Sequence, residues 1–197
     1  MKIIGLTGPS GSGKGYVSEI FSSYGIRAID TDKTVHALYE SDKECRNELL
    51  AEFGESIFDK DGNIYRKALA QIVFSDREKL LRLNSIVHKY VRKKCDEEIE
   101  KSRINGEKAL IIDAPQLFEA KMEDVCDFTV TVTADTAVRI KRLSTRDRLS
   151  DADIEKRIKN QHTDEFFREK ADYTVINNGK DDLRLQIEKI LEAEEIL

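Results

Sequence analysis

The chain has 197 residues, of which 40% are hydrophobic and 36% charged, with a net charge of −5 and a pI near 5.4. That length suits one α/β core with an inserted subdomain and is too short for two large independent domains. The acidic balance excludes a nucleic-acid binder that works by broad electrostatics, no apolar run approaches the ~20 residues of a membrane span, and Cys45, Cys95 and Cys126 are too few and too scattered for a disulfide framework or a zinc site.

The thiols suit a reducing compartment and the N-terminus runs straight into a strand pattern, so the expected setting is the cytoplasm, with a small anionic ligand and no nucleic acid or membrane as partner. A monomer is expected. Residues 3–24 read as an apolar strand, a glycine-rich turn and an amphipathic helix, with Val17, Ile20, Phe21 and Tyr24 on one helical face. Gly8, Gly13 and Lys14 satisfy the G-x-x-x-x-G-K part of a phosphate-binding loop, with Gly11 and Ser12 between them. Such a loop lets backbone N–H groups surround phosphate oxygens at the positive end of the helix, and Lys14 adds a point charge on the outer phosphates. The pattern wants Ser or Thr next, where a hydroxyl reaches Mg²⁺, and the chain has Gly15 followed by Tyr16.

Gly25 predicts the end of the first helix, and Ile26–Ile29 a second strand that runs into Asp30-Thr31-Asp32. Ligands of open α/β sheets gather at the carboxyl ends of strands, so these aspartates are candidates for chemistry. Asp32 has a competing reading as a helix N-cap. From Lys33 to about Asn105 the chain reads as helical, with apolar positions at Leu38 and Tyr39, at Cys45, Leu49 and Phe53, at Leu69, Ile72 and Val73, and from Leu80 to Ile99. The insertion is longer than a crossover needs, which predicts an acceptor-binding subdomain.

Ala109–Asp113 reads as a buried strand ending in a carboxylate, and Asp113 is a candidate to hold Mg²⁺ through water, with helix capping as its alternative. Phe128, Val130 and Val132 mark a fourth strand, Tyr173–Ile176 a fifth that ends at Asn177, and Leu183, Ile187, Ile190 and Leu191 a last helix. Five strands separated by helices predict an α/β fold, a three-layer αβα core with a five-stranded parallel sheet. Between strands four and five lie Arg139, Lys141, Arg142, Arg146 and Arg148, a basic run that beside a phosphate loop predicts a helical lid able to cover triphosphate. The expected division is a nucleotide-binding core of 1–31, 107–138 and 171–197, an acceptor domain of 32–106 and a lid of 139–170.

Over nearly its whole length the chain resembles the dephospho-CoA kinases, a P-loop NTPase-fold family. The matching pieces are Gly8–Gly15, Ile29–Asp32 with His36, Phe53-Gly54, Asp61-Gly62 with Arg66 and Leu69, Leu83-Asn84 with His88, Pro115 to Glu119, Arg142 and Arg146, Gln161, and Asn177 with Gly179. The resemblance implies transfer of phosphate from ATP, with Mg²⁺, to the ribose 3′-hydroxyl of dephospho-CoA. It makes Asp32 the catalytic base, Lys14 and the loop the phosphate cradle, Arg142 and Arg146 lid arginines, and Arg66, Asn84 and His88 acceptor-side residues; His36, four residues after Asp32, is a candidate to orient Asp32 or the substrate, with a structural histidine as its alternative. Gly15-Tyr16 stands where the family usually has Ser-Thr, and Lys89 where it has Pro. A nucleoside monophosphate kinase shares the loop sequence, and a non-catalytic nucleotide switch is the reading from a different class.

Overall fold

The computed structural model describes residues 1–147 and 150–197, so Arg148 of the basic run lies outside the described residues. β1 (Lys2–Thr7) leads through the glycine loop into α1 (Lys14–Ser23), and β2 (Arg27–Asp30) runs into α2 (Thr31–Ser41). α3 (Lys43–Phe53), α4 (Arg66–Phe74) and α5 (Arg77–Ile104) follow before β3 (Ala109–Asp113) and β4 (Phe128–Thr133). α6 (Thr136–Asp147), α7 (Asp151–Lys159) and α8 (Asp164–Lys170) precede β5 (Tyr173–Ile176), and α9 (Leu183–Ala193) is the last helix.

The five strands form one sheet in the order β2-β3-β1-β4-β5. β1 pairs in parallel with β3 and with β4, and β4 pairs in parallel with β5. Central strands of such a sheet are covered on both faces, which explains why β1 and β3 are near-continuous apolar runs and why β4, although it alternates apolar residues with threonine, is buried at every position. The predicted α/β three-layer class is what forms.

The chain divides into two compact units, Met1–Ile29 with Ser102–Leu197, and Asp30–Lys101. The first holds a core of Ile4, Leu6, Ile111, Val130 and Val132 from the sheet, Val17 and Phe21 from α1, and Ile187 and Leu191 from α9. These are the helical positions that the apolar spacing marks. Gly25, at φ 78°, ends α1 in the left-handed conformation.

In the second unit, Cys45 and Leu49 of α3 and Val87, Val91 and Cys95 of α5 are buried. Burial pushes the Cys45 thiol up to about 11 and the Cys95 thiol to about 12, which leaves both unreactive. Glu44 and Glu52 of α3 pair with Lys93 and Arg82 of α5 at 2.9 and 2.8 Å, and Glu48 between them pairs with Lys89. Lys89, one of the departures from the family pattern, is thus a rung of an ion ladder between two helices. Its hydrogen bond holds the Glu48 carboxyl below the ordinary carboxylate value.

Candidate functional site

The glycine loop sits at the carboxyl end of β1 and owes its path to two residues that no side chain could replace. Gly8 has φ 148°, and a Cβ there would stand 2.4 Å from the Val132 carbonyl oxygen. Gly13, at φ 91°, caps α1 in the left-handed region, and its Cβ would meet the Asn177 Nδ2 at 2.2 Å. Gly15 is different: it lies inside α1 with nothing within 4 Å of an added Cβ. Gly15→Ser should therefore fold, and should raise Tm by about 1–2 °C, because glycine costs a helix a few tenths of a kcal/mol more than serine. Thermal denaturation of the free protein checks this.

Backbone carbonyls that the loop leaves unpaired are taken by side chains from α6 and from the end of β5. Arg142 donates from Nη1 to the carbonyls of Gly11 at 3.2 Å and Ser12 at 3.0 Å, and from Nη2 to Asn177 Oδ1 at 2.9 Å. Asn177, itself buried, donates from Nδ2 to the same Ser12 carbonyl at 2.9 Å. The pair braces the loop from behind. Arg142→Ala should weaken nucleotide binding roughly tenfold, the effect of unpairing groups worth about 1–3 kcal/mol. Arg142→Lys should fail to restore it, since a point charge cannot reproduce the fork; calorimetric titration with a non-hydrolysable ATP analogue reads both.

Arg139, only 3% exposed, donates from Nε to the Ser10 carbonyl at 3.0 Å and from Nη1 to Asp164 Oδ1 at 2.9 Å. Burial lowers its pKa, and the Asp164 carboxylate opposes that shift. Gln161 accepts from the Ser10 N–H at 3.0 Å and donates to Ser10 Oγ at 2.9 Å, and Arg157 Nε donates to the same hydroxyl at 3.2 Å. The segment 139–170 is therefore seated on the loop rather than standing clear of it. Arg146 turns instead to its neighbour Asp147, at 2.6 Å, and Arg157 reaches the other oxygen of that carboxylate at 2.8 Å. Sequence reasoning missed Arg157. Only its place one helical turn before Gln161 could have signalled it.

Asp113 ends β3 at 9% exposure and forms an ion pair with Lys14 Nζ. Residues 115–121 form turns, so no helix starts there for Asp113 to cap, and that alternative falls. Ser12 Oγ is buried without a hydrogen-bond partner among the described residues. Beside the loop opens a cavity of about 550 Å³ lined by Gly13, Tyr16, Arg142, Asn177 and the start of α9. Among the described residues no cluster of three or more His, Cys, Asp or Glu could hold a metal by itself, and no helix is long and apolar enough to cross a membrane.

The second unit carries the remaining candidates. β2 stops at Asp30 and α2 begins at Thr31, so the alternation of a strand does not extend to Asp32. Asp30 is the N-cap, accepting from the Lys33 N–H at 3.0 Å, which corrects the capping reading of Asp32. Asp32 is exposed in the first turn, with no side-chain hydrogen bond or ion pair among the described residues, and His36 follows one turn later on the same face. His36 Nδ1 and Arg66 Nη1 meet at 3.4 Å. Asn84 and His88 share a face of α5 at i, i+4 spacing, both half-buried.

Comparison with known proteins places the chain among enzymes. The family model for dephospho-CoA kinase matches residues 2–182. A dephospho-CoA kinase of Fusobacterium nucleatum is 38% identical over 97% of both chains. Among solved structures, TT1252 from Thermus thermophilus superposes with TM-score 0.84 at 32% identity, covering 98% of this chain and 97% of that one. The dephospho-CoA kinase from Campylobacter jejuni gives TM-score 0.69 at 25% identity, covering 98% and 96%.

Proposed function

The chain belongs to the dephospho-CoA kinase family, and from that premise we propose the part each of its residues takes in the reaction. The reaction itself is ATP-dependent phosphorylation of dephospho-CoA, at the ribose 3′-hydroxyl, to give coenzyme A. The observation that carries the assignment of parts is the glycine nest at the end of β1, braced by Arg142 and Asn177, with Lys14 and Asp113 together beside it.

In this reading the loop amides from Gly8 to Gly15 cradle the β- and γ-phosphates, and Lys14 exchanges Asp113 for phosphate oxygen when ATP arrives. The cavity beside Asn177 takes the adenosine end. Arg146 and Arg157 leave Asp147 for the transferring group, whose charge they neutralise while the 139–170 lid excludes water. Asp32 accepts the proton of the ribose hydroxyl, which is a poor nucleophile until it has an acceptor, and His36, Arg66, Asn84 and His88 hold the acceptor within a domain of residues 32–106.

The residues present fit Mg²⁺, which binds through one or two carboxylates together with phosphates and waters: Asp113 is one such buried carboxylate, and Gly15 leaves the ion without the hydroxyl that usually follows the loop lysine. When bound, the ion supplies charge neutralisation at the β- and γ-oxygens. The cysteine thiols, none of them in a disulfide among the described residues, favour the cytoplasm.

The test is to incubate the protein with ATP and Mg²⁺ and either dephospho-CoA or a panel of nucleoside monophosphates, and to follow products by mass spectrometry. Coenzyme A should appear, and only from dephospho-CoA; phosphorylation of a monophosphate in its place would overturn the assignment.

A further inference from the structure

The first turn of α1 carries an aromatic ring that nothing in the fold uses. Tyr16 is 60% exposed, although a tyrosine ring is a large apolar body that folding normally covers. Its hydroxyl has no hydrogen-bond partner and its ring no aromatic or cationic neighbour among the described residues, unlike Tyr24 one face away, which donates to Glu188 at 2.6 Å and lies under the Arg184 guanidinium. Tyr16 lines the 550 Å³ cavity together with Gly13, Ile20, Asn177, Gly179 and Leu183. The phosphate nest therefore opens at Gly13 directly into a space with one exposed aromatic wall.

The rest of that wall is fixed. Ile20 follows Tyr16 by one helical turn and packs into the core, as does Leu183 at the start of α9. Asn177 is already spent on the Ser12 carbonyl and Arg142. Asp182 caps α9 through the Leu185 N–H at 3.0 Å, and Asp181 accepts from the Asn178 N–H. The two guanidinium groups on the lining are engaged as well, Arg142 on the Gly11 and Ser12 carbonyls and Asn177, and Arg184 on the Tyr24 hydroxyl at 3.1 Å and Ser23 Oγ at 3.4 Å, so the side-chain donors of the cavity are already in use before a base edge arrives. What it offers a flat heterocycle is a face.

We propose that the Tyr16 ring is the platform on which the nucleotide base stacks, so that this residue sets the affinity for the nucleoside part of the phosphate donor. The inference rests on the phosphate-loop reading above and deepens it. Stacking on an aromatic ring is tolerant of base identity, because every base presents a π face. Tyr16 accordingly contributes to binding ATP and GTP alike and contributes nothing to binding the phosphates.

Calorimetric titration separates those contributions when run with inorganic tripolyphosphate, a non-hydrolysable ATP analogue and its GTP counterpart. Tyr16→Ala should weaken both nucleotides by roughly tenfold, within the range that removing one stacking partner gives, and leave tripolyphosphate affinity as it is. Tyr16→Phe should bind like the parent, since the face and not the hydroxyl is used. Steady-state kinetics should put the loss in KM for ATP and not in kcat. Unchanged nucleotide affinity in Tyr16→Ala would overturn the proposal, and so would an equal loss for tripolyphosphate, which would make the ring a support of the loop. A parent protein that bound neither tripolyphosphate nor nucleotide would overturn the phosphate-loop reading, and this inference with it.

Discussion

Asp32→Asn is expected to lower turnover by ~10²–10⁴-fold while ATP still binds, the range in which removal of a positioned general base falls. The argument rests on a division of labour between two carboxylates. Asp30 is committed to starting α2: it accepts from the Lys33 N–H at 3.0 Å and stands 3.4 Å from the Lys33 ammonium. Asp32, two residues on, carries a carboxylate with no side-chain partner among the described residues, so its removal breaks no hydrogen bond at the helix start and costs only the ~0.3–1 kcal/mol of a first-turn charge in the helix dipole. An amide in its place has nearly the same shape and cannot accept the ribose proton. Asp30→Ala is the matching control, since losing an N-cap costs about 1 kcal/mol and should lower Tm. Near-normal turnover in Asp32→Asn, measured as coenzyme A formed per minute, would return Asp32 to an ordinary first-turn acid of a helix.

Gly13→Ala is expected to abolish measurable nucleotide binding. Two costs coincide there. The residue sits at φ 91°, where a Cβ strains the backbone by roughly 1–2 kcal/mol. That Cβ would also come within 2.2 Å of the Asn177 amide nitrogen, which is buried and bonded to the Ser12 carbonyl. Asn177 cannot withdraw without dropping both that carbonyl and Arg142, so relief of the clash dismantles the brace behind the loop. Titration with an ATP analogue checks the loss, and circular dichroism should find the rest of the fold retained. A Gly13→Ala variant that still bound nucleotide at parental affinity would mean that the brace does not shape the nest.

The phosphate loop is legible in the sequence because its geometry is local: glycine spacing, a strand before and a helix after decide it within about two dozen positions. β1 and β3 were equally open to reading, since buried parallel strands announce themselves as apolar runs, and β4 was marked by its alternating Phe128, Val130 and Val132. The Asp30 and Asp32 pair was less so. Either could cap, and only the place where β2 stops and α2 starts decides between them. What the sequence hides is tertiary. Lys89 looks like a lone departure until α3 brings Glu48 to it from 41 residues away. Arg139 and Arg142 look like members of a solvated basic run, yet Arg139 is almost wholly buried and both end on loop carbonyls that lie 129 and 131 residues earlier in the chain.

If residues 139–170 act as the proposed lid, the carboxylate shared by Arg146 and Arg157 sets what that segment responds to. The Arg146 hydrogen bond holds the Asp147 carboxyl below its ordinary 3.8, and the same contact holds the Arg146 guanidinium above its ordinary range. A depressed carboxyl keeps its contribution at every pH above that ordinary value and gives it up only as acid drives the pH down through the lower, folded one. Across the whole span between the two groups, then, Asp147 behaves as a tethered counter-ion that an incoming polyphosphate must outcompete. In the proposed reading, loading of the 139–170 segment becomes an exchange between anions, governed by how much nucleotide is present and by ionic strength, with the Asp147 side of the exchange unchanged by acidification until the pH falls below the ordinary carboxylate value.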